Sequence, residues 1–276
     1  MAVIAMTREI GTLGRDVAAG LAERLALAVV HDGLIEHGIA ERVGMGDGEV
    51  HRYFEGEATL RERWRTDAQR LSRTTAEQVL ELAASGNVLL RGWGAPYLLR
   101  EISHVVCVRI CAPMPFRQRV LVERGISKDT GSAQKEIRRR DSAYGAIMQR
   151  MFGFTDIDTA HYALALNTAR MPVTACVEQI VQLAARPEFQ KTAMSHQALI
   201  DALVGARVRA IVDQSIGTDM SGYGVDVHVT NGAVVLSGIL SQTSTIANVE
   251  NIVRGVEGVN GIENKIMHVP FRYEAA

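Results

Sequence analysis

The residues best placed to do chemistry lie near the start of the chain, where Gly11-Thr12-Leu13-Gly14-Arg15-Asp16 separates the apolar run Val3 to Met6 from a helical alternation. Glycines between a strand and a helix let backbone N–H groups converge at the positive end of the helix, which is an anion site. The same spacing also serves a plain tight turn. A loop that grips a nucleotide triphosphate needs Gly-Lys-Ser/Thr, with the lysine reaching the phosphates and the hydroxyl holding magnesium; here the corresponding stretch is Leu13-Gly14-Arg15-Asp16. No metal centre is expected. The eight histidines are scattered without metal-ligand spacing, and Cys107, Cys111 and Cys176 contain no C-x-x-C pair.

The elements that must position such a loop follow from periodicity. Five short apolar runs, "VIAM", "AVVHD", "NVLLRG", "HVVCVRICA" and "ALALN", read as buried strands. Helical patterns near 14–27, 33–44, 57–85, 114–124, 131–151 and 172–185 alternate with them, the pattern of an α/β domain with a parallel sheet. "ARPEFQKTAMS" breaks the periodicity at Pro187 and marks a linker over 186–195. Beyond it, a helix, a hairpin turning at Asn231-Gly232, a second helix and a closing strand predict a small α+β unit of order αββαβ. With 276 residues, 47% apolar, 22% charged and a net charge of -1, the chain has material for two cores and no global basic field, so no nucleic-acid partner is expected. The apolar start is broken by Arg8 and Glu9, too short for a signal-peptide core, and the expected location is the cytoplasm.

Six pieces in order resemble the cytidylate kinase-like family, a branch of the P-loop nucleoside monophosphate kinases. They are "TREIGTLGRDVAAGLAERL", "VVHDGLIEHGIAERVG", "VLLRGWGAPYLL", "RICAPMPFRQRVLVERGIS", "QKEIRRRDSAYGAIMQRMFG" and "ALALNTARMPVTACVEQI", spanning nearly all of 1–185. The resemblance implies that Gly11, Thr12, Gly14 and Arg15 form the phosphate loop, with Arg8 reaching the same anion. It implies that Asp32 faces the cleft and that Gly92-Trp93-Gly94 approaches the acceptor. It further implies that Arg117 and Arg119, with Arg138 and Arg139, belong to a lid closing over the phosphoryl group, Arg15 and Arg139 being the catalytic cations. ATP with magnesium would be the donor. Three departures stand against transfer: Leu13 replaces a glycine, Trp93 replaces the arginine of a G-R-G turn, and Tyr144 stands where a lid arginine is expected. Plainer roles exist for the same residues. Asp32 could cap the following helix, Trp93 could plug a vacated pocket, and Arg138 to Arg140 could be a solvated helix face.

Residues 197–270 resemble a BON domain, through "NGAVVLSG" and "GVEGVNGIENKI". That resemblance implies a module without catalytic chemistry that binds a protein, a lipid surface or a small ligand. The divisions expected are 1–185, a linker over 186–195, the BON domain over 196–270 and a frayed tail over 271–276. Three functions are compatible with these residues: a nucleotide- or phosphate-binding protein with a degenerate transfer site, an active ATP-dependent nucleotide kinase, or an assembly protein that self-associates.

Overall fold

In the computed structural model, the described residues are 2–55, 57–59, 67–153, 159–216, 224–240 and 243–269, with side chains excepted at 243–245. The chain divides into two compact units, Met1–Ser195 and His196–Ala276.

The first unit is built on five parallel strands, β1 (Val3–Arg8), β2 (Ala28–Val30), β3 (Val88–Arg91), β4 (Val105–Cys111) and β5 (Leu164–Asn167), in the order β2-β3-β1-β4-β5. These are the five apolar runs. Central strands of a parallel sheet are covered on both faces, which is why β1 and β4 are almost continuously apolar. Around the sheet run α1 (Gly14–Leu25), α2 (Asp32–Val43), α3 (Asp47–Phe54), α4 (Ala68–Ser85), α5 (Ala95–Leu99), α6 (Met114–Glu123), α7 (Thr130–Phe152) and α8 (Val173–Ala184). Val17 and Leu21 of α1 and Cys176 and Ile180 of α8 close one face over Ile4, Met6, Val106 and Val108. The chain leaves β1 toward β2 and leaves β4 toward β5. The carboxyl ends of these adjacent strands therefore open on a crevice, the place where open α/β sheets receive ligands.

Two local expectations change. The helix expected over 57–85 begins only at Ala68, because the Asp67 carboxylate accepts from the amides of Gln69 and Arg70 (2.9 and 3.1 Å) and caps it; residues 57–59 are not helical, and 60–66 lie outside the described residues. Ahead of it lies α3, hidden in the sequence by Gly44, Gly46 and Gly48, and held by the buried edge Val50, Tyr53 and Phe54.

The second unit carries α9 (Ala193–Ile216), β6 (Val225–Thr230), β7 (Ala233–Leu240), α10 (Thr243–Arg254) and β8 (Gly261–His268). β6 and β7 are antiparallel, and β8 adds parallel to β7. Asn231 and Gly232 both have positive φ (50° and 76°), the two-residue turn that an Asn-Gly pair favours between strands. Val227, Val234 and Leu236 pack with Val204, Val208, Val249 and Val253 into a separate core. Helix α9 begins inside the segment read as a linker, at Ala193, where Thr192 and Ser195 exchange backbone and side-chain hydrogen bonds. The expected tail, 271–276, lies outside the described residues. No described helix is long and apolar enough to cross a membrane.

Candidate functional site

Strand β1 ends at Arg8, and the chain turns through Glu9 to Leu13 before α1 starts at Gly14. Among the described residues, no carbonyl accepts from the amides of Gly11 through Arg15, so a row of N–H groups is left at the helix start. The loop is braced from behind. The Thr12 side chain is fully buried, its hydroxyl donates to the Glu9 carbonyl (2.7 Å), and its own carbonyl accepts from the Thr168 hydroxyl (2.8 Å). Gly11 has φ +79°, and a Cβ there would lie 2.7 Å from both the Arg117 carbonyl oxygen and Leu121 Cδ1, so only glycine lets the loop seat on α6.

Arg8 lies across the start of α1, since a Cβ on Gly14 would meet Arg8 Cβ at 2.7 Å. Its Nη2 donates to Asp32 Oδ2 at 3.2 Å, while its Nε is buried with no acceptor among the described residues. Burial lowers the Arg8 pKa, Asp32 opposes that shift, and the charges of Arg91, Arg15 and Arg140 add to it. Burial lowers the Arg91 pKa too, again with Asp32 opposing and Arg15 adding. Four guanidinium groups therefore share one field, and Asp32 is the carboxylate that acts on both Arg8 and Arg91.

Of these groups, Arg8, Arg140 and Asp32 border a cavity of about 320 Å³, whose lining also includes Thr7, Glu9, Phe54, Glu55, Gly92, Trp93, Arg109, Asp141 and Tyr144. One wall is aromatic. Trp93 is 5% exposed, its ring centroid 4.1 Å from that of Phe54 and 6.4 Å from that of Tyr144, and its indole N–H is buried without an acceptor among the described residues. Gly92, Trp93 and Gly94 all have positive φ (97°, 46° and 70°), a tight turn in which Trp93 takes a conformation that side chains rarely adopt. Asp32 Oδ1 is lodged against Gly92, 2.0 Å from where a Cβ would stand.

The family model for the cytidylate kinase-like family matches residues 3–170. The chain belongs to the cytidylate kinase-like family. A second model, the BON domain, matches residues 201–268. The chain is 25% identical over 177 residues to the cytidylate kinase of Pyrobaculum aerophilum, covering 64% of this chain and 89% of that one. It is 24% identical over 173 residues to the cytidylate kinase of Pyrobaculum islandicum, covering 63% and 87%. Among solved structures, an uncharacterized protein from Eubacterium ventriosum matches with a TM-score of 0.53 at 15% identity, over 66% of this chain and 97% of that one, a likeness of fold alone.

Within this cytidylate kinase-like unit, the expected site residues fall into three groups. Arg8, Asp32, Gly92 and Trp93 line the cavity, while Gly11, Thr12, Gly14 and Arg15 form the adjoining loop and Gly94 closes the turn against Phe152. Arg15 is exposed and makes no ion pair with a described residue. Arg117 is a brace rather than a mobile cation: it is 4% exposed, donates to the Ile10 carbonyl (2.7 Å), holds both Asp141 oxygens (2.9 and 2.7 Å) and lies 3.3 Å from Glu9. Arg119, Arg138 and Arg139 lie on the outer surface, away from the cavity lining. Arg139 is tied to Glu57 (2.6 Å) and Glu136 (3.0 Å), and Arg119 faces Glu123 at 4.0 Å. The member of that arginine run turned to the cavity is Arg140, bonded to Glu136 and Glu55 (2.6 and 3.3 Å). Hydrogen bonds from Arg139 and Arg140 pull Glu136 down to about 2.

Asp32 is the first residue of α2 behind His31, and its side chain caps no amide, so the capping role is not realised. Sequence reading passed over Glu9, Arg109, Phe54 and Glu55. Arg109 had a signal, being the one charge inside an apolar strand, and it pairs with Glu9 at 2.7 Å. Phe54 had none, because α3 was itself unseen.

The residues at the loop do not fit a bound magnesium. The residue after Arg15 is Asp16, whose carboxylate is held by Arg124 (2.9 and 2.8 Å), and the Thr12 hydroxyl is already engaged. Among the described residues no three His, Cys, Asp or Glu side chains are grouped to hold a metal ion.

Proposed function

We propose that the cytidylate kinase-like unit binds a nucleotide or another phosphorylated small molecule, with phosphoryl transfer weakened or lost, and that the BON unit docks a protein, lipid or small-ligand partner. The observation that carries this reading is the cluster Arg8, Arg15, Arg91 and Arg140 beside a row of loop amides that donate to no carbonyl among the described residues, with one shared carboxylate. Such a cluster favours an anion of more than one charge. The case against efficient transfer is equally local. No lysine projects from the loop, Leu13 stands at a left-handed position (φ 58°) where glycine is expected, and Trp93 puts an indole where an arginine is expected. Each missing transition-state cation costs about 3 kcal/mol, on the order of a hundredfold in rate. If transfer survives, ATP is its donor, and magnesium would have to arrive with the nucleotide, since Asp16 and Thr12 are already engaged. The compartment proposed is the cytoplasm, where nucleotides are supplied, and self-association is part of the third, assembly reading.

The test is calorimetric titration of the full chain with ATP, CTP and CMP in magnesium buffer. Saturable binding of at least one is expected; no heat from any overturns the reading. A turnover assay on the same samples separates the active-kinase alternative, which requires Arg15→Ala to abolish product without unfolding the chain.

A further inference from the structure

We propose that Asp32 is an internal stand-in for the ligand's phosphate: it occupies the guanidinium cluster in the free protein, and an incoming phosphate ester or diphosphate binds by displacing it from Arg8. This inference rests on the phosphate-binding reading above and names how that site is controlled. The existing pair is a poor use of Arg8. It makes one contact of 3.2 Å, longer than the 2.7–2.9 Å of a good charge-assisted bond, and it leaves Nε buried without an acceptor among the described residues. A phosphate presents oxygens on one face and can take Nε and Nη2 together, the bidentate geometry that guanidinium favours. Arg91 repeats the situation, with a buried Nε lacking an acceptor among the described residues. Asp32 is held in place by shape as much as by charge, since its Oδ1 is lodged against Gly92 where no side chain fits. The carboxylate therefore shields the part-buried Arg8 and Arg91 until a stronger anion arrives. The ligand class implied is a phosphate ester or diphosphate rather than a monocarboxylate, because a single carboxylate is what the site already holds.

The full chain and three variants are titrated with inorganic pyrophosphate and with ADP by calorimetry. Asp32→Asn is expected to bind both about tenfold more tightly, and Arg8→Ala about thirtyfold more weakly, the scale of a hydrogen bond to a charged group. Glu41→Gln removes an exposed carboxylate of α2 that lies outside the cavity lining and is expected to change affinity by less than about threefold, which separates exchange at Arg8 from a general loss of negative charge. The proposal is overturned if Asp32→Asn binds equally or more weakly, or if Glu41→Gln tightens binding as much; in both cases binding by the unmodified chain leaves the phosphate-binding reading standing. If neither the unmodified chain nor Asp32→Asn binds either probe, both readings fall. A measurement on the unmodified chain covers a variant that fails to fold. On pyrophosphate addition, the Asp32 carboxyl carbon and Arg8 Nε signals in NMR should move together, and movement of Arg8 alone refutes displacement.

Discussion

Arg117 separates a phosphate-gripping role from a structural one, and its contacts allow the cost of removing it to be estimated. Arg117→Ala leaves the Ile10 carbonyl without its 2.7 Å donor and strips Asp141 of a two-point ion pair, at a side chain 5% exposed. Breaking a buried charge pair from one side costs about 3–5 kcal/mol. Two features pull the figure down: Asp141 is 38% exposed and can regain water, and Glu9 keeps Arg109 at 2.7 Å. Allowing about 2–3 kcal/mol for the ion pairs and about 1 kcal/mol for the carbonyl gives about 3–4 kcal/mol. In a unit of this size that lowers Tm by roughly 10 °C. Differential scanning calorimetry of the full chain, with ADP titration of the same variant, reads both roles. A fall under about 3 °C combined with complete loss of ADP binding would refute the structural assignment and return Arg117 to the lid.

Two further outcomes follow from single contacts. His37 Nδ1 lies 3.1 Å from Asp47, and that hydrogen bond raises its pKa above the ordinary 6.5; the stability this adds is full below pH 6.5 and is lost as pH rises through the folded-state value. Thermal unfolding from pH 5.5 to 8 should therefore fall more steeply for the unmodified chain than for His37→Gln, and parallel curves would dismiss the link. In the BON unit, Asp201 accepts from the amides of Asn231 (2.7 Å) and Gly232 (2.9 Å), tying the hairpin turn to α9. Asp201→Ala should cost about 1–3 kcal/mol, read as a lower denaturation midpoint, and an unchanged midpoint would show that water replaces the carboxylate.

Legibility tracked the physical basis of each signal. The five strands are near-continuous apolar runs because burial on both faces demands it, and the hairpin turn was legible because Asn-Gly is the pair that takes two positive φ angles cheaply. Helix α3 was not legible, because three glycines precede or enter it and only its packed edge stabilises it. In the site, the loop and the Gly92 turn were readable because glycine reports backbone geometry. Where each arginine side chain turns was not legible, because type and spacing do not say which way a long side chain points. On α7, neighbouring Arg139 and Arg140 point to different surroundings, and only the second reaches the cavity.

The proposal that the site binds an anion but transfers weakly rests on that distribution of cations. Holding an anion requires positive charge near it in the ground state, and Arg8, Arg15, Arg91 and Arg140 supply that. Transfer requires charge that strengthens as the bond breaks, placed in line and free to follow the phosphoryl group. Arg117 is locked to Asp141, Arg139 to Glu57 and Glu136, Arg140 to Glu55 and Glu136, and Arg8 to Asp32. Recruiting any of them means breaking a pair already made, so each returns less to a transition state than an unengaged lysine would. Arg15 and Arg91 make no ion pair with a described residue. They flank the loop and the Gly92 turn, which is where residual transfer would have to draw its charge.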